Sequence, residues 1–143
     1  WLPSYGPEMR GGTCNCSVVI SDESIGSPLV TAPDVLIAMN LPSLDKFEDS
    51  VVPGGTILLD SSLIDRKVTR QDVKVCYVDA SRLAEENNMK GSANIILVGK
   101  MFKELGFCTE ESLYKAVDKC VPPKKAALIE VNKNALKLGY SVE

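Results

Sequence analysis

Three short apolar runs constrain this chain more than any other feature: Asp34-Val-Leu-Ile-Ala-Met39, Thr56-Ile-Leu-Leu-Asp60 and Val73-Lys-Val-Cys-Tyr-Val78. A brief, almost wholly apolar stretch bounded by turn residues is the mark of a strand covered on both faces, as in a parallel sheet. The first run stops at Asn40, and Pro42 and Ser43 open a segment, Leu44 to Glu48, whose apolar pair at a spacing of three predicts a short helix. Pro53-Gly-Gly55 punctuates its end, and Ser61-Ser62 directly follows the second run. Upstream, Thr13 to Ile20 is β-branched at its end and predicts another strand, closing at Ser21-Asp22 before a loop from Ser24 to Pro33. Strand, short helix, strand, loop, strand is the order of an α/β domain with a mostly parallel sheet.

The remainder reads as helical. Ser81 is placed to cap a helix through about Asn88. Ser92 is placed to cap another, in which Ile95, Ile96, Val98, Gly99, Phe102 and Leu105 recur at helical spacing and Gly106 is the stop. Thr109 followed by Glu110 and Glu111 sets acids at the positive end of a helix running to about Cys120. Val121-Pro-Pro-Lys-Lys restarts the chain, and Leu128, Val131, Ala135 and Leu138 stripe a last helix that Gly139 is expected to end.

Composition narrows the function. With 143 residues, 45% of them hydrophobic, the chain suits one domain with a real core. No apolar run approaches the roughly 20 residues of a membrane helix and no leader opens the sequence, so the expectation is a soluble, cytoplasmic domain. A formal net charge of −3, with neither sign gathered in a block, speaks against a nucleic-acid partner. There is no histidine, and the five cysteines, at 14, 16, 76, 108 and 120, contain no C-x-x-C pair. Histidine chemistry is excluded for these residues, and a complete cysteine-built metal or iron–sulfur site is not expected. Cys14 and Cys16 would share one face of a strand, where small thiols pack well.

In an open parallel sheet, ligands bind beyond the carboxyl ends of the strands. Asn40, Ser61 and Ser62 occupy such ends, although Asn before Leu-Pro is also turn chemistry and two serines also suit a helix cap. Ser4 to Gly12, "SYGPEMRGG", is a hard bend carrying an acid and a base. Gly11 and Gly12 let backbone approach a ligand closely, Arg10 offers a fork suited to phosphate, and Tyr5 suits a ligand edge; a surface ion pair between Glu8 and Arg10 is the competing account. Gly91 to Lys100 is not a phosphate loop, because the spacing of its glycines and the residues after Lys100 are wrong. Lys124-Lys125 reads as a solvated helix start. Asn94, near an apolar face, is either a helix-end lock or a crevice contact.

Trp1 to Ser21, then Pro33 to Asn40, Pro42 to Phe47 and Pro53-Gly-Gly55, resemble the gamma subunit of 2-oxoacid:ferredoxin oxidoreductases, in the pyruvate/ketoisovalerate oxidoreductase family. The resemblance implies a Rossmann-like, three-layer α/β domain with a helical C-terminal part. It implies an enzyme in which alpha, beta and often delta subunits join this one to convert a 2-oxoacid and coenzyme A into acyl-coenzyme A and carbon dioxide, reducing ferredoxin. Thiamine diphosphate and the iron–sulfur clusters would belong to the partner subunits, and this chain, inactive alone, would carry no catalytic or metal-ligating residue. Its own part would be subunit assembly and the coenzyme A side of the site, through Tyr5, Glu8, Arg10, Gly11, Gly12, Asn40 and Ser61. The family's G-x-G-G-x-G strand-to-helix motif is missing, which predicts a domain without its first strand and glycine-rich loop; Cys14 stands where family members often carry alanine. The indolepyruvate oxidoreductase beta subunit shares this domain, and a free-standing ligand-binding module is the alternative of another class.

Overall fold

The computed structural model describes residues 14–143 and the backbone of Leu2–Pro3. Its centre is a parallel sheet of β3 (Val35–Ala38), β4 (Thr56–Asp60) and β5 (Lys74–Val78), in that spatial order. Val35 pairs with Thr56 and Ile57 with Val75, so the apolar runs lie side by side in register. All residues of β4 are buried. Its alternate side chains feed two cores: Ile57 and Leu59 pack with Ala38, Leu44 and Ile64, and Leu58 packs with Cys76, Val78, Ile96 and Leu97. Each such side chain contributes about 1.5–3 kcal/mol on leaving water.

The helices form the outer layers. α1 (Leu41–Phe47) and a 3-10 turn (Glu48–Ser50) follow β3 and cover one face through Leu44 and Val51. α2 (Ala80–Glu86) and α3 (Ala93–Leu105) follow β5 and cover the other. α4 (Glu110–Cys120), a 3-10 turn (Pro123–Lys125) and α5 (Ala127–Ser141) complete the chain, α5 reaching the second core through Ala135. The predicted caps hold at Thr109, whose hydroxyl accepts from the Ser112 amide at 3.2 Å, and at Gly106, which turns left-handed at φ 57°.

Several expectations need correction. The strand over Thr13 to Ile20 shrinks to β2 (Cys14–Asn15), which pairs antiparallel with β1 (Leu2–Pro3) and not with the central sheet. Val18 and Ile20 are 73% and 78% exposed, so their β-propensity has no neighbour to pack against. Cys14 and Cys16, expected to be packed, are both exposed. The first helix begins at Leu41 rather than Leu44, because Asn40 caps it and Pro42 fits its first turn. Ser81 lies inside α2 instead of capping it, and Ser92 precedes α3 without a side-chain cap bond.

Gly139 does not stop the last helix; it sits buried inside α5. A Cβ there would lie 1.9 Å from the Ile96 carbonyl oxygen, and one on Gly99 would lie 2.2 Å from that of Leu136. The two glycines therefore let α3 and α5 cross backbone to backbone. Beside this crossing, Lys100 and Lys103 donate to the Val142 carbonyl at 3.1 and 2.8 Å, and Glu104 bridges Lys100 at 2.7 Å and Lys74 of β5 at 2.5 Å. Those bonds, Lys100 first and Lys74 second, hold the Glu104 carboxyl down at about 2.

The β4–β5 crossover has no helix over residues 61–73. A buried carboxylate anchors it: Glu48 accepts from the Thr69 amide at 2.6 Å, the Thr69 hydroxyl at 2.8 Å and the Arg66 guanidinium at 2.5 Å. Arg70 reaches back to the Glu48 carbonyl at 3.2 Å and to that of Val51. Burial pushes the Glu48 carboxyl up, but the bonds from Arg66 and Thr69 outweigh it and keep the group below its usual value.

Two outcomes follow from these contacts. Gly139→Ala lowers stability by about 3 kcal/mol through overpacking, read as a lower urea midpoint, whereas Gly26→Ala, with nothing near its added methyl, stays within about 0.5 kcal/mol. Glu104 is ionised more readily folded than unfolded, where its midpoint is about 4.3, so its contribution is complete above that pH and is lost as pH falls through about 2. Glu104→Gln accordingly flattens the loss of stability measured by denaturant titrations across that window.

Candidate functional site

Beyond the carboxyl ends of β4 and β5 the chain assembles a polar cluster on two acids that sequence reading did not select. Asp60, the last residue of β4, is fully buried. Its carboxylate accepts from the Ser62 amide at 3.1 Å, from the Ser81 amide at 3.1 Å and from the Ser81 hydroxyl at 2.6 Å. A buried carboxylate is tolerable only when its oxygens are bonded, and here they tie the β4 end to the first turn of α2. The Arg82 amide donates to the Ser62 hydroxyl at 3.2 Å, adding a second tie.

Ser61 stands at this edge as predicted, and its hydroxyl donates to Asp79 at 2.5 Å. Asp79 also receives the Arg82 guanidinium, which extends to Glu86 at 3.5 Å. The Ser61 bond first, and then Arg82, keep the Asp79 carboxyl below its ordinary value. Arg82 is 59% exposed, the basic tip of a cluster whose other charges are acidic. An anion approaching this half of the crevice meets Asp79 and Glu86 as well as Arg82.

Asn40 lies at the end of β3, where its side-chain oxygen accepts from the Ser43 amide at 2.9 Å. That bond is helix capping, and Asn40 remains exposed at the strand end. Tyr5, Glu8, Arg10, Gly11 and Gly12 lie outside the described residues. Asn94 is exposed on α3, which removes the case for a buried lock. Lys124 and Lys125 are exposed, as expected of a solvated turn. Among the described residues no three cysteine, aspartate or glutamate side chains converge to hold a metal ion. The signal for Asp60 and Asp79 was an acid closing each apolar run immediately before serine or Ala-Ser.

A three-stranded parallel sheet, covered on both faces and carrying a polar cluster at its carboxyl edge, defines a three-layer α/β domain of the Rossmann-like class. Comparison with known proteins carries the assignment further. Residues 1–142 match the Pyruvate ferredoxin/flavodoxin oxidoreductase family, and the chain belongs to it. Ketoisovalerate oxidoreductase subunit VorA of Methanothermobacter thermautotrophicus is 42% identical over 141 residues, which are 97% of this chain and 29% of that protein. 2-Oxoglutarate synthase subunit KorC of Methanocaldococcus jannaschii is 36% identical over 97% of this chain and 74% of its own length. The gamma subunit of keto/oxoacid ferredoxin oxidoreductase from Geobacter sulfurreducens superposes with a TM-score of 0.72 at 28% identity, covering 96% of this chain and 75% of that one. The chain thus spans under a third of VorA and about three quarters of KorC.

Ser61→Ala removes the first of the bonds that stabilise ionised Asp79. Its titration midpoint, followed by carboxyl carbon NMR, rises toward the ordinary aspartate value, so the stability that ionised Asp79 supplies at neutral pH is smaller and its loss on acidification is complete at a higher pH.

Proposed function

We propose that this chain is a gamma-type domain of a multisubunit 2-oxoacid:ferredoxin oxidoreductase, contributing to subunit assembly and to the coenzyme A side of the site. The observation that carries the reading is the likeness to the Geobacter sulfurreducens gamma subunit over 96% of this chain and 75% of that one, with KorC matching 97% of this chain and itself 74% covered. The same stretch is similar to part of the longer VorA, so one domain occurs both in a compact subunit and within a larger chain.

In this reading the 2-oxoacid is decarboxylated on other subunits, where thiamine diphosphate supplies the electron sink for carbanion chemistry and iron–sulfur clusters pass electrons to ferredoxin. The described residues offer no convergent donor set for a cluster. The part of this chain is to bind and orient. Asp60 and Ser81 fix the β4 end against α2, giving the crevice a rigid floor. Asp79, Ser61 and Arg82 make its polar wall, and Asn40 its neighbour at β3. Because that wall carries more acid than base, phosphate charge is assigned in this reading to Arg10 and the Gly11 and Gly12 amides, with Tyr5 and Glu8 their neighbours in sequence.

Arg10→Ala in the assembled enzyme tests this. Loss of a charged fork to phosphate raises the apparent KM for coenzyme A roughly tenfold or more, with the KM for the 2-oxoacid little changed. An unaltered coenzyme A KM removes the arginine from the site.

A further inference from the structure

We propose that the cleft between α3, α4 and α5 seats an acidic amphipathic helix from another subunit, an inference that rests on the reading of this chain as one subunit of a larger enzyme. α4 is amphipathic, yet none of its residues is buried. Its Leu113 and Val117 face Ile95 and Val98 of α3 across a solvent-open, overwhelmingly apolar cleft of about 470 Å³, and Leu128 of α5 at the rim is 43% exposed. An apolar helix stripe left uncovered on a small domain marks an interaction surface. Walls made of helices, open along the side, suit a helix laid in a groove better than an enclosed small ligand.

Charge selects the occupant. Lys125 lines the cleft, Lys124 precedes it in the same turn, and Lys119 stands in the last turn of α4. All of them are exposed, and among the described residues none is paired with an acid, whereas Lys115 binds Glu111 and Lys133 binds Asp118 at 2.7 Å each. One free lysine in the lining, with two more beside it in sequence at the same end of α4, calls for carboxylates flanking an apolar stripe at helical spacing.

Cys120 is exposed and lines the cleft, so it reports occupancy. Its N-ethylmaleimide alkylation rate, resolved by peptide mass spectrometry, is compared between the chain alone and the chain in a complex co-expressed with its partner subunits. The expected result is at least tenfold slower reaction in the complex, with zero-length carbodiimide cross-links from Lys119, Lys124 or Lys125 to acidic residues of a partner helix. Combined Lys119→Glu, Lys124→Glu and Lys125→Glu, all at exposed positions, weakens the complex by about tenfold at low salt. A complex that forms with Cys120 as reactive as before overturns the inference and leaves the subunit reading intact. Protection in the isolated chain that grows with its concentration assigns the cleft to a second copy and also overturns it. A chain that enters no complex defeats both readings.

Discussion

A strand with water on neither face must have a hydrophobic cover on each side, and β4 imposes that demand on the whole domain. Ile57 and Leu59 require the layer built from α1 and Ile64; Leu58 requires the layer built from α2, α3 and α5. Asp60 extends the constraint to polar groups. Because its carboxylate is buried in the strand where the covers meet, the first turn of α2 has to come to it. The crevice edge is therefore not a loop decoration but the place where β4 satisfies its last residue.

The second layer holds because two helices approach more closely than side chains ordinarily permit. Gly99 and Gly139 put the backbones of α3 and α5 in direct contact, and the lysine bonds to the Val142 carbonyl fasten the end of α5 beside that crossing. α4 takes no comparable part, which is why its apolar side stays open while α5 is locked.

What could be read from residue order was whatever local chemistry decides. β3, β4 and β5 were legible because uninterrupted apolar runs have few other uses, and α3 and α4 because Gly106 and Thr109 act on their own immediate backbone. The failures are tertiary. Gly139 looks like a terminator in sequence, but its role depends on Ile96, far away along the chain. The strand expected through Val18 and Ile20 has the right propensity and no partner surface. Asn40 and Ser61 were placed at strand ends by their position after the apolar runs, while Asp60 was read only as the last residue of its strand and Asp79 was not singled out, because only the folded arrangement shows which serines they bind. The glycine-rich stretch around Arg10 lies outside the described residues.

The Glu48 anchorage has a mechanical consequence. Where most parallel sheets hand the chain across on a helix whose backbone bonds are internal, this crossover is held by side-chain bonds, chief among them those that Glu48 accepts from Arg66 and Thr69. Thr69, Arg66 and Arg70 all meet the same short segment, while Ile64 packs under Ile57 and Leu59 and the Val68 amide donates to the Tyr77 hydroxyl at 3.0 Å, so the connection is fastened at once to the end of α1 and to the sheet it spans.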